Sequence, residues 1–578
     1  MREPVLLLGA GTGLATSGLL YLASYLRQHG VEAYARPLDT APSLAELERR
    51  TVALLERVRP RLVGISLKWF LHLHRGIHLA RVVKAFDPDI CVVLGGDTAS
   101  HYYQELVQCD GVDAVVRGDG EAPLLALTRD LTHPNVWRRG QRPAPLRSLG
   151  NLYAQRRDAD DSSLEGLDSI FLCEADRYYV PPFVVGGKGC SQGCLYCGGA
   201  RSAQQENFGR PRSFMRPIER VRADVVELMR RAYTLVYDFS DHPLADPSVE
   251  LERLWTGLDL SRSGILYYAW RVPPPKFVEL LSRTHESVTL GLDFGCFSER
   301  QRRALGQAHA LKPLPDDREF LELIELTANY SNVKVRVSGV AGLPGLTLAD
   351  LEQEAALIER VLSFPQVEDV LWDLVHAQPG APLLESLERF AMSSPVHDFG
   401  EFLEWSREHA PNGQYRPPLL AHTGPAAIPG DPNQRIAAHH QEMHARIDTH
   451  FAGRKRDGAR FETFDAVATR RFLRRPEARV LNRYNPRDWW LDFERPQIPE
   501  SELDEPMARV VIGHVWQDEF GAISIPAVLV DSLLSAFDSA ATGEEARAAM
   551  HARGVSLQPK NLAGVIRFFY ERGLVDPV

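Results

Sequence analysis

The chain has 578 residues, enough for about three or four domains of ~150 residues each. Its 66 basic and 76 acidic residues give a net charge of −10, which argues against nucleic acid and against an anionic membrane surface as partners. Seven cysteines are too few for a disulfide framework. No apolar run approaches the ~20 residues of a membrane helix, and the first residues indicate a strand rather than a signal peptide. We therefore expect a cytoplasmic protein.

Residues 1–135 alternate between buried strand patterns and amphipathic helices. This alternation predicts a Rossmann-like α/β domain with a parallel sheet and right-handed crossovers. Ligands of such sheets bind at the carboxyl ends of the strands. The candidate ligand-binding residues at these ends are Gly9, Thr12, Ser66, Leu67, Lys68, Trp69, Gly95, Gly96, Asp97, Thr98, Gly118 and Glu121.

Two interpretations of this first domain compete. Glycines after the first strand could indicate a dinucleotide site, but their spacing is not G-x-G-x-x-G and no clear acidic residue ends the second strand. Residues 90–127 instead contain a Gly-Gly strand end followed by VDAVVRGDGE. They resemble the cobalamin-binding domain that precedes many radical S-adenosylmethionine (SAM) domains.

The resemblance to cobalamin-binding domains has one departure. Members that ligate cobalt with a histidine carry it after the first strand, where this chain reads GAGTGLATSG. The resemblance then implies either cobalamin bound without a protein imidazole or a vestigial domain. Lys68 or Trp69 would cover the lower face of the corrin, although Trp69 could equally be a packed aromatic.

Residues 136–180 are rich in Pro, Arg and Asp, and we expect a linker that runs over the surface. After it, residues 186–201 read GGKGCSQGCLYCGGAR, with Cys190, Cys194 and Cys197 spaced to wrap one soft metal centre. A structural zinc site would show four Cys or His ligands in two pairs, and no second pair follows at a suitable distance. Iron–sulfur clusters usually take four cysteines, so a cluster here would leave one iron open to a substrate or cofactor.

This motif, with an aromatic residue before its last cysteine, resembles the radical SAM superfamily. The resemblance implies a 4Fe-4S cluster on the three cysteines, with the fourth iron binding the amino and carboxylate groups of SAM. It also implies an external electron donor such as flavodoxin or ferredoxin. Tyr196, Gly198 and Gly199 would lie beside the cofactor, with the backbone near Tyr196 against the adenine.

Residues 181–395 contain six strand-then-helix units, which fit the partial (β/α)6 barrel of radical SAM enzymes. Chemistry in such barrels lies at the carboxyl ends of the strands. The resemblance implies that Asp238 or Asp241 binds the SAM amino group and that Asp293 binds the ribose hydroxyls. Residues 336–345, which include Gly342, would pack against the adenine.

Three further barrel residues have two interpretations each. Arg271 and Arg336 could bind the carboxylate of SAM or of the substrate, because the arginine fork contacts both oxygens, or they could form ordinary barrel salt bridges. Cys296 follows a strand end and could be a substrate-side thiol or hydrogen donor, or a packing residue. Cys296 and Asp241 are the candidate catalytic residues.

Residues 396–578 lose the strand–helix alternation and predict a mainly helical domain. His440 and His444 share a helix face, which suits either two zinc ligands or a solvated helix. The last ~50 residues resemble a winged-helix-like module, but their charge is mixed and no basic helix stands out. We expect this domain to dock the substrate or a partner.

The resemblance covers roughly residues 4–390 and implies a cobalamin-dependent radical SAM methyltransferase with three cofactors: the cluster, SAM and cobalamin. Methylcobalamin would provide the methyl group, one SAM would remethylate the cobalt, and a second would yield a 5′-deoxyadenosyl radical. The substrate would be a carbon centre of a small molecule or peptide, in natural-product biosynthesis. Alternatives are a radical SAM rearrangement, cyclisation or ring contraction without methylation, and a non-catalytic cobalamin-sensing protein.

Overall fold

The structure is a computed structural model. It describes residues 4–10, 16–38, 43–141, 146, 183–210, 213–229, 234–238, 247–261, 264–269, 271–312, 314–411, 415–423, 428, 430–452, 463–474, 478–484, 507–512, 522–571 and 574–578. Among these residues no helix combines the length and the apolar character needed to span a membrane.

The first sheet confirms the five strands predicted in residues 1–135. Its six strands are β1 Val5–Gly9, β2 Ala33–Pro37, β3 Leu62–Ser66, β4 Cys91–Gly95, β5 Ala114–Val116 and β6 Val136–Trp137. Their order is β2-β1-β3-β4-β5-β6, and only β6 is antiparallel to its neighbour. The strand order reverses between β1 and β3, which is where doubly wound sheets bind ligands. β6 lies at the start of the predicted linker, and two residues are too short to give a sequence pattern.

The helices of this domain lie between its strands. They are α1 Thr16–Gln28, α2 Leu44–Val58, α3 Leu73–Phe86, α4 Asp97–His101, α5 Tyr103–Leu106 and α6 Glu121–Leu127. α2 begins at Ser43, whose hydroxyl accepts a hydrogen bond from the Glu46 N–H. This N-cap satisfies one of the backbone donors that the first helical turn leaves unpaired.

The second sheet confirms all six predicted barrel strands. The strands of this part are β7 Phe183–Val185, β8 Gly187–Lys188, β9 Phe214–Met215, β10 Thr234–Asp238, β11 Gly264–Ala269, β12 Ser287–Asp293, β13 Val333–Ala341 and β14 Val367–Leu374. Six of them form a parallel sheet in the order β14-β13-β12-β11-β10-β7, whereas β8 and β9 pair with each other. Sequential parallel neighbours of this kind are the arrangement of a (β/α) barrel.

Among the described residues of this part, seven helices follow or connect these strands. They are α7 Arg201–Phe208, α8 Ile218–Met229, α9 Ser248–Trp255, α10 Pro275–Thr284, α11 Glu299–Gln307, α12 Asp317–Thr327 and α13 Leu348–Leu362. α13 begins with a capping box between Thr347 and Asp350. The Asp350 side chain is fully buried and also accepts hydrogen bonds from Ser298 and Arg300, so the cap ties α13 to α11.

The C-terminal part contains more strands than the sequence predicts. Its elements are β15 Met392–Ser393, α14 Phe399–His409, β16 Ala421–His422, α15 Pro432–Ala452, α16 Phe464–Ala468, β17 Arg471–Arg474, β18 Ala478–Tyr484, β19 Met507–Ile512, β20 Ala522–Pro526, α17 Ala527–Ser532, β21 Ala541–Thr542, α18 Gly543–Ala552, α19 Pro559–Glu571 and β22 Val575–Pro577. β18, β19 and β20 form one antiparallel sheet, and β21, β17 and β22 form another. The second sheet packs with α17, α18 and α19 around one apolar core, in an element order that fits the winged-helix-like prediction. Short 3-10 helices lie at Phe70–His72, Leu384–Ser386, Glu388–Phe390 and Leu534–Phe537.

One C-terminal helix packs on the first domain. The ring of Phe402, on α14, meets that of Phe70 edge-on at a centroid distance of 4.9 Å. The His74 N–H donates to the Ser406 hydroxyl at 3.0 Å. α14 thus holds the chain that leaves the barrel against the first domain.

Candidate functional site

The cysteine loop follows β8 and is fixed on both sides. The Leu195 N–H donates to the Ala310 carbonyl at 2.8 Å, and the Leu195 carbonyl accepts from the Leu383 N–H at 2.8 Å. The segment after α11 and the segment after β14 therefore hold the loop between them. The loop needs little regular structure of its own because these backbone bonds define its position.

The three predicted cluster ligands lie in this loop, with Cys194 buried and Cys190 and Cys197 partly buried. The Cys190 sulfur accepts from the Gln192 N–H at 3.4 Å, and the Cys197 sulfur accepts from the Gly199 N–H at 3.3 Å. Burial raises the pKa of the Cys197 thiol to about 11. Hydrogen bonds of this kind tune the reduction potential of a cluster once the thiolates hold one.

The donor set of the loop fits an iron–sulfur cluster. In the described part of the chain, no three His, Cys, Asp or Glu side chains converge as ligands of a single metal ion. A four-iron cluster needs no such convergence, because each thiolate binds a different iron, whereas a structural zinc site requires four ligands around one ion. The three thiols therefore suit the cluster that the sequence predicts.

Gly198 brings the loop into contact with the end of the barrel. Its N–H donates to Oε1 of Gln378 at 2.8 Å. A Cβ at Gly198 would lie 2.7 Å from the Pro379 carbonyl oxygen, too close for any side chain. The close approach of residues 378–379 thus requires a glycine here, whether or not it also contacts a cofactor. At Gly199, a Cβ would lie 3.6 Å from the Cys197 sulfur, an ordinary contact.

Asp293 ends β12 and forms a buried ion pair that the sequence did not predict. Its carboxylate accepts a hydrogen bond from the Lys312 ammonium. Asp293 is 6% exposed and Lys312 is 3% exposed. Asp293 also accepts from the Gly295 N–H at 2.7 Å. The backbone of Lys312 donates to the Cys194 thiol, so this lysine contacts both the cluster loop and the predicted ribose-binding carboxylate. No motif surrounds Lys312, which explains why sequence reasoning missed it.

Tyr196 lies between the cysteines and Asp293. Burial raises the pKa of its phenol well above the usual value, and the nearby charge of Asp293 raises it further. Tyr196 thus lies in the cysteine loop near the end of β12, and its place beside SAM stays a prediction.

Arg336 forms an internal salt bridge, and its predicted role at a cofactor or substrate carboxylate stays a prediction, because its Nε and Nη1 atoms are buried without a hydrogen-bond partner among the described residues. On β13 it is 2% exposed and donates to Asp369 on β14 at 2.6 Å. Register places Tyr268, Gly291, Arg336 and Asp369 in one row across four strands. Arg336 therefore fills the barrel interior, the alternative that the sequence allowed. Arg271 is partly buried after β11, and its predicted role stays a prediction.

Cys296 is a packing residue in this structure, which corrects its assignment as catalytic. It is completely buried in an apolar cluster with Leu195, Leu305 and Leu343. Its thiol donates to the Ser298 carbonyl at 3.6 Å, and burial raises its pKa. A thiol enclosed in this way cannot meet a substrate without unpacking its neighbours.

Several predicted residues are placed elsewhere or lie beyond the described chain. Gly342 has a φ of +76°, packs near Ile436 on α15, and accepts a hydrogen bond from His422 at 3.0 Å through its carbonyl. Outside the described residues lie Thr12, Asp241 and the side chain of Asp238, although Asp238 itself ends β10.

The strand ends of the first sheet form a surface built from backbone. The Leu67 N–H donates to the Gly95 carbonyl at 2.7 Å, and the Thr98 N–H donates to the Leu67 carbonyl at 3.0 Å. Gly96 has a φ of +106°, and a Cβ there would lie 2.9 Å from the Leu67 carbonyl oxygen. The Thr98 hydroxyl donates to the Lys68 carbonyl at 3.1 Å. Residues 66–69 and 95–98 therefore interlock, next to Gly9 at the end of β1, and leave a face that a large flat ligand can approach closely.

Asp97 and Trp69, both at this edge, differ in environment. Asp97 is exposed, although Lys68 and Arg210 lie near it and burial among the surrounding protein raises the pKa of its carboxyl. Trp69 is partly buried, and its ring meets that of Tyr415 edge-on at 6.5 Å.

The end of the RGDGE run joins the two domains, and the predicted cofactor role of Gly118 and Glu121 stays a prediction. Glu121 pairs with Lys188 at 2.6 Å, and Asp119 pairs with Lys188 at 3.3 Å and with Arg210. Both residues are buried: Asp119 is 7% exposed and Glu121 is 6% exposed. We call Asp119, Glu121, Lys188 and Arg210 the interdomain ion-pair cluster. Buried carboxylates need such partners, so these side chains are engaged by the barrel domain.

His440 and His444 on α15 are partly buried, and no third metal-ligating side chain joins them in the described part of the chain. Nε2 of His440 and Nε2 of His444 lie 2.8 Å and 2.6 Å from the Trp372 carbonyl oxygen. Their rings pack against Trp372, which is 1% exposed at the end of the edge strand β14. These histidines thus cover the open edge of the barrel sheet, whose last carbonyls would otherwise lack donors.

Comparison with known proteins agrees with both halves of this arrangement. The family model of the B12 binding domain matches residues 4–128, so this part of the chain is similar to B12-binding domains. The fold is similar to that of a radical S-adenosylmethionine methyltransferase, TsrM, from Kitasatospora setae, solved with cobalamin and a 4Fe-4S cluster bound. That likeness has a TM-score of 0.54 and 15% identity, and covers 78% of this chain and 89% of TsrM.

A second structure of TsrM was solved with tryptophan substrate and the SAM analogue aza-SAM bound. It matches with a TM-score of 0.56 and 15% identity, over 77% of this chain and 89% of that one. No curated protein matches the chain in sequence. The fold expected from the sequence is confirmed: a doubly wound α/β domain, matched by the B12 binding domain model, precedes a six-stranded (β/α) sheet in an arrangement similar to that of TsrM. The three cofactors expected from the sequence are also those named for these two structures, SAM through its analogue.

Proposed function

We propose that this protein, a B12-binding domain joined to a radical SAM barrel, is a cobalamin-dependent radical SAM methyltransferase acting on a carbon centre. The observation that carries the proposal is the meeting of two strand-end edges. The end of α4 and the residues after β5 contact residues after β14 and after α7: a Cβ at Gly380 would lie 3.5 Å from Nδ1 of His101, and Arg210 pairs with Asp119. A substrate between these edges would lie beside both candidate cofactor sites.

Each edge would hold a different group. Cys190, Cys194 and Cys197 would hold the cluster, and Asp293, oriented by Lys312, would bind the ribose of SAM. The interlocked segments 66–69 and 95–98 would face cobalamin. When bound, these cofactors supply the methyl group and the radical chemistry, while the protein positions them and excludes water. We expect a cytoplasmic enzyme with a flavodoxin or ferredoxin as its electron donor.

Transfer of label from SAM tests the proposal. The protein, reconstituted without oxygen with iron, sulfide and cobalamin, is supplied with a reductant and SAM carrying a deuterated methyl group. L-Tryptophan, the substrate named for TsrM, is the first compound to try, followed by short peptides that contain it. We expect a product heavier by the labelled methyl group. A product that lacks the label would instead favour rearrangement, cyclisation or ring contraction, and absence of SAM cleavage would favour a cobalamin-sensing protein.

A further inference from the structure

The segment that follows α11 runs beside the cysteine loop. The Leu195 N–H donates to the Ala310 carbonyl at 2.8 Å, and the Lys312 N–H donates to the Cys194 sulfur. Leu311, between these two contacts, packs in the same apolar cluster as Leu195. The backbone of Lys312 is therefore fixed relative to the predicted cluster ligands.

Each of the three predicted cluster sulfurs accepts a hydrogen bond from a backbone N–H. The donors to Cys190 and Cys197 belong to the cysteine loop, whereas a donor to Cys194 is Lys312, from a different segment. Hydrogen bonds to the sulfurs are one of the factors that set the reduction potential of a cluster. Lys312 thus contacts a cluster ligand through its backbone, in addition to any effect of its charge.

The side chain of Lys312 places a buried positive charge near the same sulfurs. Its ammonium pairs with the Asp293 carboxylate, and both residues are buried. Burial raises the pKa of the Cys194 and Cys197 thiols, the charge of Lys312 lowers it, and the charge of Asp293 raises it. One cation and one anion of opposite effect therefore lie within electrostatic reach of two cluster ligands.

Charges at this position matter because reduction changes the charge of a cluster. A cluster that takes up one electron gains one negative charge, so a nearby cation stabilises the reduced state and a nearby anion destabilises it. Water and salt screen buried charges much less than exposed ones. Little solvent reaches Lys312 or Asp293, so the effect of each charge on the cluster should be retained.

We propose that Lys312 sets the reduction potential of the cluster: its ammonium stabilises the reduced cluster, and Asp293 limits this effect by offsetting the positive charge. In this step the cluster accepts one electron from its external donor, while Lys312 gains or loses no proton and forms no covalent bond. The inference rests on the proposed function for the identity of the cluster. It deepens that function by naming the pair of charges that regulates electron uptake at the site.

A redox titration measures the effect directly. The full-length protein, reconstituted with cluster and cobalamin and kept free of SAM, is poised at a series of potentials, and the reduced cluster is quantified from its EPR signal at liquid-helium temperature. Lys312→Met removes the cation and should lower the midpoint potential. At the wild-type midpoint, the ratio of reduced to oxidised cluster should fall about tenfold, which corresponds to about 59 mV for one electron.

Asp293→Asn should shift the midpoint potential in the opposite direction, because it removes the anion and leaves the charge of Lys312 without its offset. The double variant Asp293→Asn, Lys312→Met removes both charges and should titrate close to the wild type. Lost packing would not produce shifts whose sign follows the sign of the removed charge. If Lys312→Met does not assemble a cluster, the step from Asp293→Asn to the double variant removes the same lysine and should lower the potential.

Arg49→Gln is the matched control, since it also removes one positive charge from an ion pair, here with Glu46 on the surface of α2. Its midpoint potential should equal that of the wild type. Iron content shows how much cluster each variant carries. Unchanged potentials on removal of Lys312 or Asp293, shifts of the same sign for both, or an equal shift in Arg49→Gln would overturn the assignment.

The titration also separates this inference from the proposed function, because it requires neither a substrate nor methyl transfer. Opposite shifts in a protein that transfers no label from SAM would leave the role of Lys312 standing and remove the methyltransferase. Labelled product from a protein whose cluster potential does not respond to Lys312 would do the opposite.

Discussion

The carboxyl ends of the two parallel sheets are built from different materials. At the first sheet the ends consist of backbone and small residues, where Leu67 bonds to Gly95 and Gly96 leaves no room for a side chain. At the barrel the ends carry thiols and the buried pair Asp293–Lys312. The first edge can recognise a ligand by close approach of the backbone, and the second by donor atoms and charge. Adding a methyl group should therefore damage the first edge, whereas removing a thiol or a charge should damage the second.

Loss of one cluster ligand should have the largest effect, and only at the barrel edge. Cys194→Ala removes one of three thiolates, and no other cysteine in the described chain lies in that loop. We expect near-complete loss of bound iron and of SAM cleavage, measured by iron analysis and by release of 5′-deoxyadenosine. Cobalamin uptake, followed by its visible absorption, should be unchanged.

Cys296→Ala is the matched control, since it also removes a buried thiol near a strand end. The variant should keep its iron because the Cys296 thiol bonds to the Ser298 carbonyl and packs in an apolar cluster. Its free energy of unfolding should fall by about 1 kcal/mol for the lost packing. Retention of iron by Cys194→Ala, or its loss from Cys296→Ala, would contradict the assignment of the cluster to the loop.

Breaking the buried ion pair should have the next largest effect. Lys312→Met leaves the Asp293 carboxylate buried without its cation, so the free energy of unfolding should fall by about 3–5 kcal/mol in denaturant titrations. The double variant Asp293→Asn, Lys312→Met removes the uncompensated charge and should recover most of that loss. If the double variant is no more stable than Lys312→Met, the pair does not stabilise the barrel through its charges.

At the carboxyl ends of the first sheet, one added methyl group should be enough to lower the stability and to weaken cobalamin binding. Gly96→Ala forces a φ of +106° on a residue with a side chain and places its Cβ 2.9 Å from the Leu67 carbonyl oxygen. We expect a loss of about 1–3 kcal/mol in the unfolding free energy and weaker cobalamin binding, with iron content unchanged.

The adjacent glycine is a close control for this effect. A Cβ at Gly95 would meet only Val116, at 3.9 Å, which is an ordinary contact. Gly95→Ala should therefore change the unfolding free energy by less than about 0.5 kcal/mol. Equal damage from both substitutions would mean that the backbone strain at Gly96 does not matter.

The sequence predicts the features that a continuous stretch of residues encodes, but not the pairs that form between distant segments. Eleven parallel strands follow from long apolar runs, and the cysteine loop follows from its spacing. Two-residue β6 has no pattern to detect, and the short antiparallel strands β18 to β20 are separated by long intervals that hide their pairing. The partners of Asp293 and Arg336 also stay hidden, because Lys312 and Asp369 come from other segments and only the folded register brings each pair together. Sequence reasoning thus recognises single residues of known chemistry better than the pairs that they form.

The interdomain ion-pair cluster should give the smallest effect and sharpen the comparison most, since it decides whether the two edges act as one site. Lys188 is 24% exposed, so we expect a coupling energy of only about 1 kcal/mol in the double-mutant cycle of Lys188→Gln and Glu121→Gln. Burial alone would raise the pKa of Asp119, but the charges of Lys188 and Arg210 lower it overall. The stabilisation should therefore persist above the ordinary aspartate pKa and disappear as the pH falls through the lowered value.

Arg49→Gln removes a surface pair with Glu46 and should change stability by less than about 0.5 kcal/mol. If hydrogen exchange at β8 and at Gly118 rises in Lys188→Gln but not in Arg49→Gln, the cluster holds the domains together; unchanged exchange would mean that other contacts align the two edges.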